Sequence, residues 1–167
     1  MPTGPGSRVT DAVAHPIPGI LAGSPGSPTV LIGNLPAWRG LPLAAAAGLQ
    51  SAQSTALASA TAAEAAAVAA APTPGGPAAR AAAEATKAAL LASMSSAIST
   101  AAAGGTDIHN CNTFPLMPMH GPGVVITGSA TVMINNMPAC RLGDTILEAI
   151  GPPDLIVMGC MTTIIGG

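Results

Sequence analysis

Aromatic side chains are almost missing from this chain: its 167 residues include one Trp, one Phe and no Tyr. A large ring-stacked core is therefore excluded, and burial must rest on aliphatic groups. Charge is nearly as scarce, at 7% of residues, with a formal net charge of −2. Five Lys and Arg in all give no basic footprint, so nucleic acid is not an expected partner. Such sparse charge is equally unlike a disordered acidic tail. Three cysteines, a small and odd number, do not make a disulfide framework. The start, MPTGPGSRVTDAVAHP, has no positive segment leading into an apolar run. No signal peptide is expected, and any export would need a non-Sec machine. Neither a P-loop nor a GxGxxG is present, which removes the common nucleotide sites.

What the chain does have is 17 Pro, 20 Gly and two separate sources of apolar residues. Its length suits one domain with room for an appendage. Residues 43–103 are mostly Ala with Leu, Ser, Thr and Gln, and they divide at Pro72-Thr-Pro-Gly-Gly-Pro77. Ala is the best helix former, and Pro77 suits a first helical turn, so a helical hairpin is expected. Leu49, Ala52, Ala56, Ala60 and Ala63 would face Ala83, Leu90, Met94 and Ile98. Each helix has the length of a membrane span. However, Gln50, Gln53, Glu64, Arg80, Glu84 and Lys87 interrupt them, which favours a soluble hairpin over a span or a flexible linker.

The Val/Ile-rich ends carry a repeat. Ser27-Pro-Thr-Val-Leu-Ile-Gly-Asn-Leu-Pro-Ala-Trp-Arg39 aligns without a gap on Ser129-Ala-Thr-Val-Met-Ile-Asn-Asn-Met-Pro-Ala-Cys-Arg141. A truncated copy, Gly159-Cys-Met-Thr-Thr-Ile-Ile-Gly-Gly167, closes the chain, with Thr162 on Thr131 and Gly166 on Asn135. Each copy reads as a short β unit around a turn, and Gly33-Asn34 is the turn signal. Three copies imply a repeat architecture in which no unit buries its own face. The boundary recurs too: Arg141-Leu-Gly-Asp144 matches Arg8-Val-Thr-Asp11, and Thr106-Asp107 is a remnant of it. Residues 1–7 read as an unstructured Gly/Pro lead.

Four residues past each Asp lie His15, Cys111 and Glu148. The candidate metal ligands are His15, His109, Cys111 and His120. Imidazole nitrogen and thiolate sulfur suit zinc, and four such donors close a tetrahedron, leaving no water position; such a site is structural. His109 and Cys111, two apart in an extended segment, point to one side. His15 would tie the first unit to the second across the helical insertion. Glu148 is the weakest donor by type, and the sequence leaves open whether it replaces one of the four. Cys140 and Cys160 read as small buried thiols. The pair Cys111 with His120 lacks an activating third group or an oxyanion signature, so no enzyme is expected.

Pro138-Ala-Cys-Arg-Leu-Gly-Asp144 resembles the Pro-Ala-Ala-Arg-x-Gly-Asp signature of PAAR-repeat proteins, and Pro36-Ala-Trp-Arg39 is a degraded second copy. The segments 27–33, 120–125 and 151–160 also look like that family. The resemblance covers residues 8–40 and 104–167. It implies a mainly β, three-sided conical domain, here with the Ala-rich helical hairpin of residues 43–103 inserted. It also implies one zinc near the apex, held by three His and one Cys, which His15, His109, Cys111 and His120 would supply. Members cap the trimeric VgrG spike of type VI secretion or related contractile injection systems, and some attach effectors. The resemblance therefore implies a spike-tip protein that is cytoplasmic before firing and then delivered, with membrane contact only on puncture. The departures are Trp38 and Cys140 in the signatures, and the insertion itself. An alternative makes the hairpin the working part, an adaptor for a separate effector, a chaperone or a membrane.

Overall fold

The computed structural model describes residues 3–14, 19–110 and 120–166. Short β-branched runs bounded by Gly, Pro and Asn form short strands. β4 (Leu31–Ile32) turns into β5 (Leu35–Pro36), and β8 (Met133–Ile134) into β9 (Met137–Pro138). Both turns have two residues in the left-handed region: Gly33 and Asn34 at φ 54 and 66, Asn135 and Asn136 at φ 52 and 65. Such turns twist with the flanking strands, and Gly and Asn enter that region at least cost.

The third unit closes differently. β12 (Cys160–Ile165) pairs with β1 (Gly4–Gly6), from the other end of the chain. Ile164 lies opposite Pro5 just as Leu31 lies opposite Pro36 and Met133 opposite Pro138. Gly4–Gly6 of the Gly/Pro lead thus form a strand, contrary to the sequence expectation. The reason is steric. A Cβ on Gly6 would sit 2.9 Å from both Ile165 Cδ1 and Ile32 Cδ1, so glycine leaves the room that these two side chains fill.

A closed ring of backbone hydrogen bonds joins the three units. The Trp38 N–H donates to the Ser7 carbonyl (2.9 Å), Cys140 to Trp38 (3.1 Å) and Ser7 to Cys140 (2.9 Å). The arginines that follow repeat one contact. The backbone N–H of Arg8, Arg39 and Arg141 donates to Oδ2 of Asp11, Asp107 and Asp144 at 2.8, 2.9 and 2.7 Å. The guanidinium of each also pairs with the same carboxylate.

Beyond the aspartates lies a six-stranded antiparallel sheet. Its members are β2 (Ala12–Ala14), β3 (Gly19–Ile20), β6 (Ile108–Asn110), β7 (Pro122–Val125), β10 (Thr145–Glu148) and β11 (Asp154–Ile156). The order is β3-β2-β11-β10-β7-β6. The sheet curls so that Gly23, just after β3, bridges His109 on β6, and Asn110 donates to the Ala22 carbonyl at 2.7 Å. Its inner face encloses Val13, Leu21, Val125, Ile146 and Ile156, packed on Trp38 and Cys140.

The insertion leaves at Leu41 and returns at Thr106. α1 (Leu43–Ala70) and α2 (Gly76–Ala102) form an antiparallel hairpin, with Pro77 in the first turn of α2. Ala46, Leu49 and Ala56 join Met94, Ile98 and Ala102 against Val124, Ile126, Leu147 and Ala149 of the sheet. Ala52, expected inside, is exposed, and its neighbour Gln53 is buried instead, because it reaches a polar partner on the sheet side. The result is a mixed fold, antiparallel sheet with a two-helix hairpin. Among the described residues no helix is long and apolar enough to cross a membrane.

Candidate metal centre

Sheet register assembles the polar end of the inner face. His109 on β6 lies opposite Gly123 on β7, and Gly123 lies opposite Glu148 on β10. Residues in one such row point to one face. Gly123 has no side chain, and a Cβ there would come within 2.9 Å of Ile146 Cγ2 and 3.2 Å of Glu148 Cγ. The glycine therefore opens the space that the His109 and Glu148 side chains share. On the next strand, Asp154 lies opposite Ile146.

His109, Glu148 and Asp154 are all buried, at 2%, 0% and 4% exposure. One donor atom from each lies within 4.8 Å of the others. His109 Nε2 is 3.6 Å from Glu148 Oε1, and His120 Nδ1 is 2.9 Å from Glu148 Oε2. Gly151 makes room for the His120 ring; with φ at +122, it would place a Cβ 3.3 Å from His120 Cγ. A Gln53 side-chain N–H donates to the Glu148 carbonyl at 2.7 Å, so α1 holds the backbone behind the cluster.

Burial is the main cause that pushes the Glu148 carboxyl up to about 8, and the neighbouring Asp154 carboxylate adds to it. Two adjacent buried carboxylates resist joint ionisation unless a proton or a cation intervenes. With the His109 imidazole beside them, they make a buried nitrogen–oxygen donor set that can hold a metal ion, and His120 touches this set through Glu148. Both donor types suit zinc.

Of the four sequence-predicted ligands, His109 and His120 meet at the same carboxylate. His15 and Cys111 lie outside the described residues. Cys140 and Cys160 are buried away from the cluster, Cys140 in the axial core and Cys160 with its sulfur 3.2 Å from Thr162 Oγ1. Burial raises the Cys140 thiol well above its usual range, as an inert thiol requires. Sequence reasoning missed Asp154. No local signal pointed to it: opposite Ile146, Asp154 takes the place that Gly123 takes opposite His109, and only the strand pairing brings out that equivalence.

Compared with protein-family models, with curated proteins and with solved structures, the chain finds no match.

Proposed function

We propose that this chain is a zinc-stabilised spike-tip protein, capping and sharpening the trimeric VgrG-type spike of a type VI secretion system or a related contractile injection machine. One observation carries the reading: the same unit occurs three times around a closed ring, through Ser7, Trp38 and Cys140. A single chain with internal three-fold repetition is the shape that can sit on the end of a three-fold trimer. The exposed side chains support it. Leu31, Met133 and Ile164 occupy equivalent places in the three strand pairs and are 62%, 53% and 61% exposed. Three large apolar groups at equivalent positions are unusual on a solvated surface and suit a partner with the same repetition.

The role is mechanical. The PAAR-like, three-sided conical arrangement would leave few free strand edges. A zinc held by His109 and His120, with His15 and Cys111 completing the set, would tie loops whose strands are too short to hold themselves. Structural zinc supplies on the order of 10 kcal/mol, which an aromatic-poor domain needs. Replacing His120 or Cys111 by Ala would then loosen this end and lower the melting temperature.

The direct test is complex formation with a trimeric VgrG-type spike protein, read by light scattering after size exclusion. The expected product is one chain per trimer, lost when Leu31, Met133 and Ile164 are all changed to Asp. Failure of the unmodified chain to bind would sink the spike-tip reading.

The hairpin supports an added role. None of residues 57–89 belongs to the apolar cluster shared with the sheet. At 1.5 Å per residue, residues 57–70 extend about 20 Å along α1. This far half would attach a separate effector or chaperone. Deleting 43–103 should then abolish effector export and leave spike capping intact.

A further inference from the structure

The geometry points to Glu148 as a direct ligand of a divalent metal, the oxygen donor that the third unit contributes beside the His109 nitrogen, in place of one of the four donors expected from the sequence. This rests on reading the cluster as a metal centre, and it does not require the spike-tip role.

The repeat supplies the first argument. His15, Cys111 and Glu148 all stand four residues past the aspartate of an Arg–Asp contact, the contact that Arg8, Arg39 and Arg141 make alike. One position of the unit thus carries a donor-capable residue every time. β10 is otherwise Thr-Ile-Leu, with Ile146 and Leu147 fully enclosed. A purely packed strand would end on an aliphatic residue there, because burying a carboxylate without a compensating cation or proton is costly.

Distance supplies the second. With bonds of about 2.0–2.1 Å, two donors on one tetrahedral zinc sit about 3.3 Å apart. Glu148 Oε1 stands 3.6 Å from His109 Nε2, close to that edge length. Its other oxygen, Oε2, lies 2.9 Å from His120 Nδ1, at hydrogen-bond range, which fixes the orientation of the carboxylate.

Charge supplies the third. Glu148 and Asp154 together bring two negative charges into a buried space, the number that neutralises a divalent cation. Asp154 stands beside Glu148 in this space, so a cation there would relieve the repulsion between the two carboxylates. The competing arrangement makes Glu148 only a hydrogen-bond acceptor, orienting imidazoles that bind the metal through their other nitrogens.

The test uses the full chain with Zn2+ and Co2+ and separates the two arrangements. Glu148→Cys puts a thiolate at the position that Cys111 holds in the second unit. As a ligand position, it keeps one Zn2+ per chain, and its Co2+ form gains a thiolate charge-transfer absorption beyond that of the unmodified protein. Glu148→Gln removes the charge at the same shape. It should bind Zn2+ more than about 100-fold more weakly, exceeding the loss typical of a supporting partner. Cooperative melting of the metal-free Glu148→Gln protein checks that the fold survives. No added absorption in Glu148→Cys, or a loss of Zn2+ affinity in Glu148→Gln of about 100-fold or less, overturns the assignment. Absence of metal binding by the unmodified chain would instead overturn the metal centre itself.

Discussion

Arg39 and Asp107 are 68 residues apart, yet they make the contact that Arg8 makes with Asp11, and Arg141 with Asp144, across three residues. The return bonds match as well: the Asp11, Asp107 and Asp144 N–H groups donate to the arginine carbonyls at 3.1, 3.0 and 3.1 Å. The helical hairpin is therefore inserted inside one tight turn, which still closes around it. Asp107 is 1% exposed and Arg39 8%. Asp107→Ala would leave a buried guanidinium without its partner, at a cost of about 3–5 kcal/mol. Denaturant unfolding measures it, and a loss under about 1 kcal/mol would mean that the pair does not hold the turn.

If the insertion interrupts a turn, the turn should survive its removal. Joining Gly40 to Thr106 creates Arg-Gly-Thr-Asp, the length and nearly the text of Arg8-Val-Thr-Asp11. The chain lacking residues 41–105 should fold and retain the axial core, with lower stability because Val124, Ile126, Leu147 and Ala149 lose their cover. Thr106 would have to adopt the conformation of Thr10, at φ 72, which strains a β-branched residue. Changing it to Gly in the shortened chain should therefore recover about 1 kcal/mol. A shortened chain that stays unfolded even with that glycine would show that the hairpin is part of the folding unit.

How much of this was legible follows from the same residues. The two gapless copies and their Arg–Asp boundaries stand in the sequence because hairpin turns and tight turns need particular residues at fixed spacing. Ala content announced the helices for the same local reason. The pairing of β1 with β12 was not legible, since Gly4-Pro-Gly6 has no β-forming side chain and is a strand only because Ile164 and Ile165 come to it. Asp154 and the inward face of Gln53 were missed likewise. Both depend on which strand lies beside which, and local pattern is silent on that. Glu148 was visible as a repeat position but undervalued, because its significance comes from the burial that surrounds it.

The axis shows the same dependence on neighbours. The position before each repeated arginine holds Ser7, Trp38 and Cys140, and all three are completely buried. One large ring is accommodated because the other two units supply small side chains. Trp38→Ala should open a cavity among Val13, Leu21, Val125, Ile146 and Ile156 and cost about 3–5 kcal/mol. Ser7→Trp should be at least as harmful, by overpacking the same space. Restoring stability by combining Trp38→Ala with Ser7→Trp would show that the axis needs one ring, whichever unit supplies it. If Trp38→Ala melts like the unmodified chain, the axial packing is not what holds the ring together.

The carboxyl of Glu148 gives the last prediction, which concerns the metal-free protein. Its position near 8 in the fold, against 4.5 for an ordinary glutamate, is caused first by burial and then by Asp154. A carboxyl raised in the folded state holds its proton more tightly there than in the unfolded chain. Its stabilising contribution is therefore complete below about pH 4.5 and is lost as the pH rises through about 8. The groups facing it are His109 on β6, His120 before β7 and Asp154 on β11. After chelation, the melting temperature should fall between about pH 5 and pH 8, and Glu148→Gln should flatten that slope. Zn2+ should reverse it, since the metal displaces the proton and binds more tightly as the pH rises. A metal-free melting temperature that climbs over this range would mean that Glu148 is ionised in the fold without a metal, compensated by its imidazole neighbours.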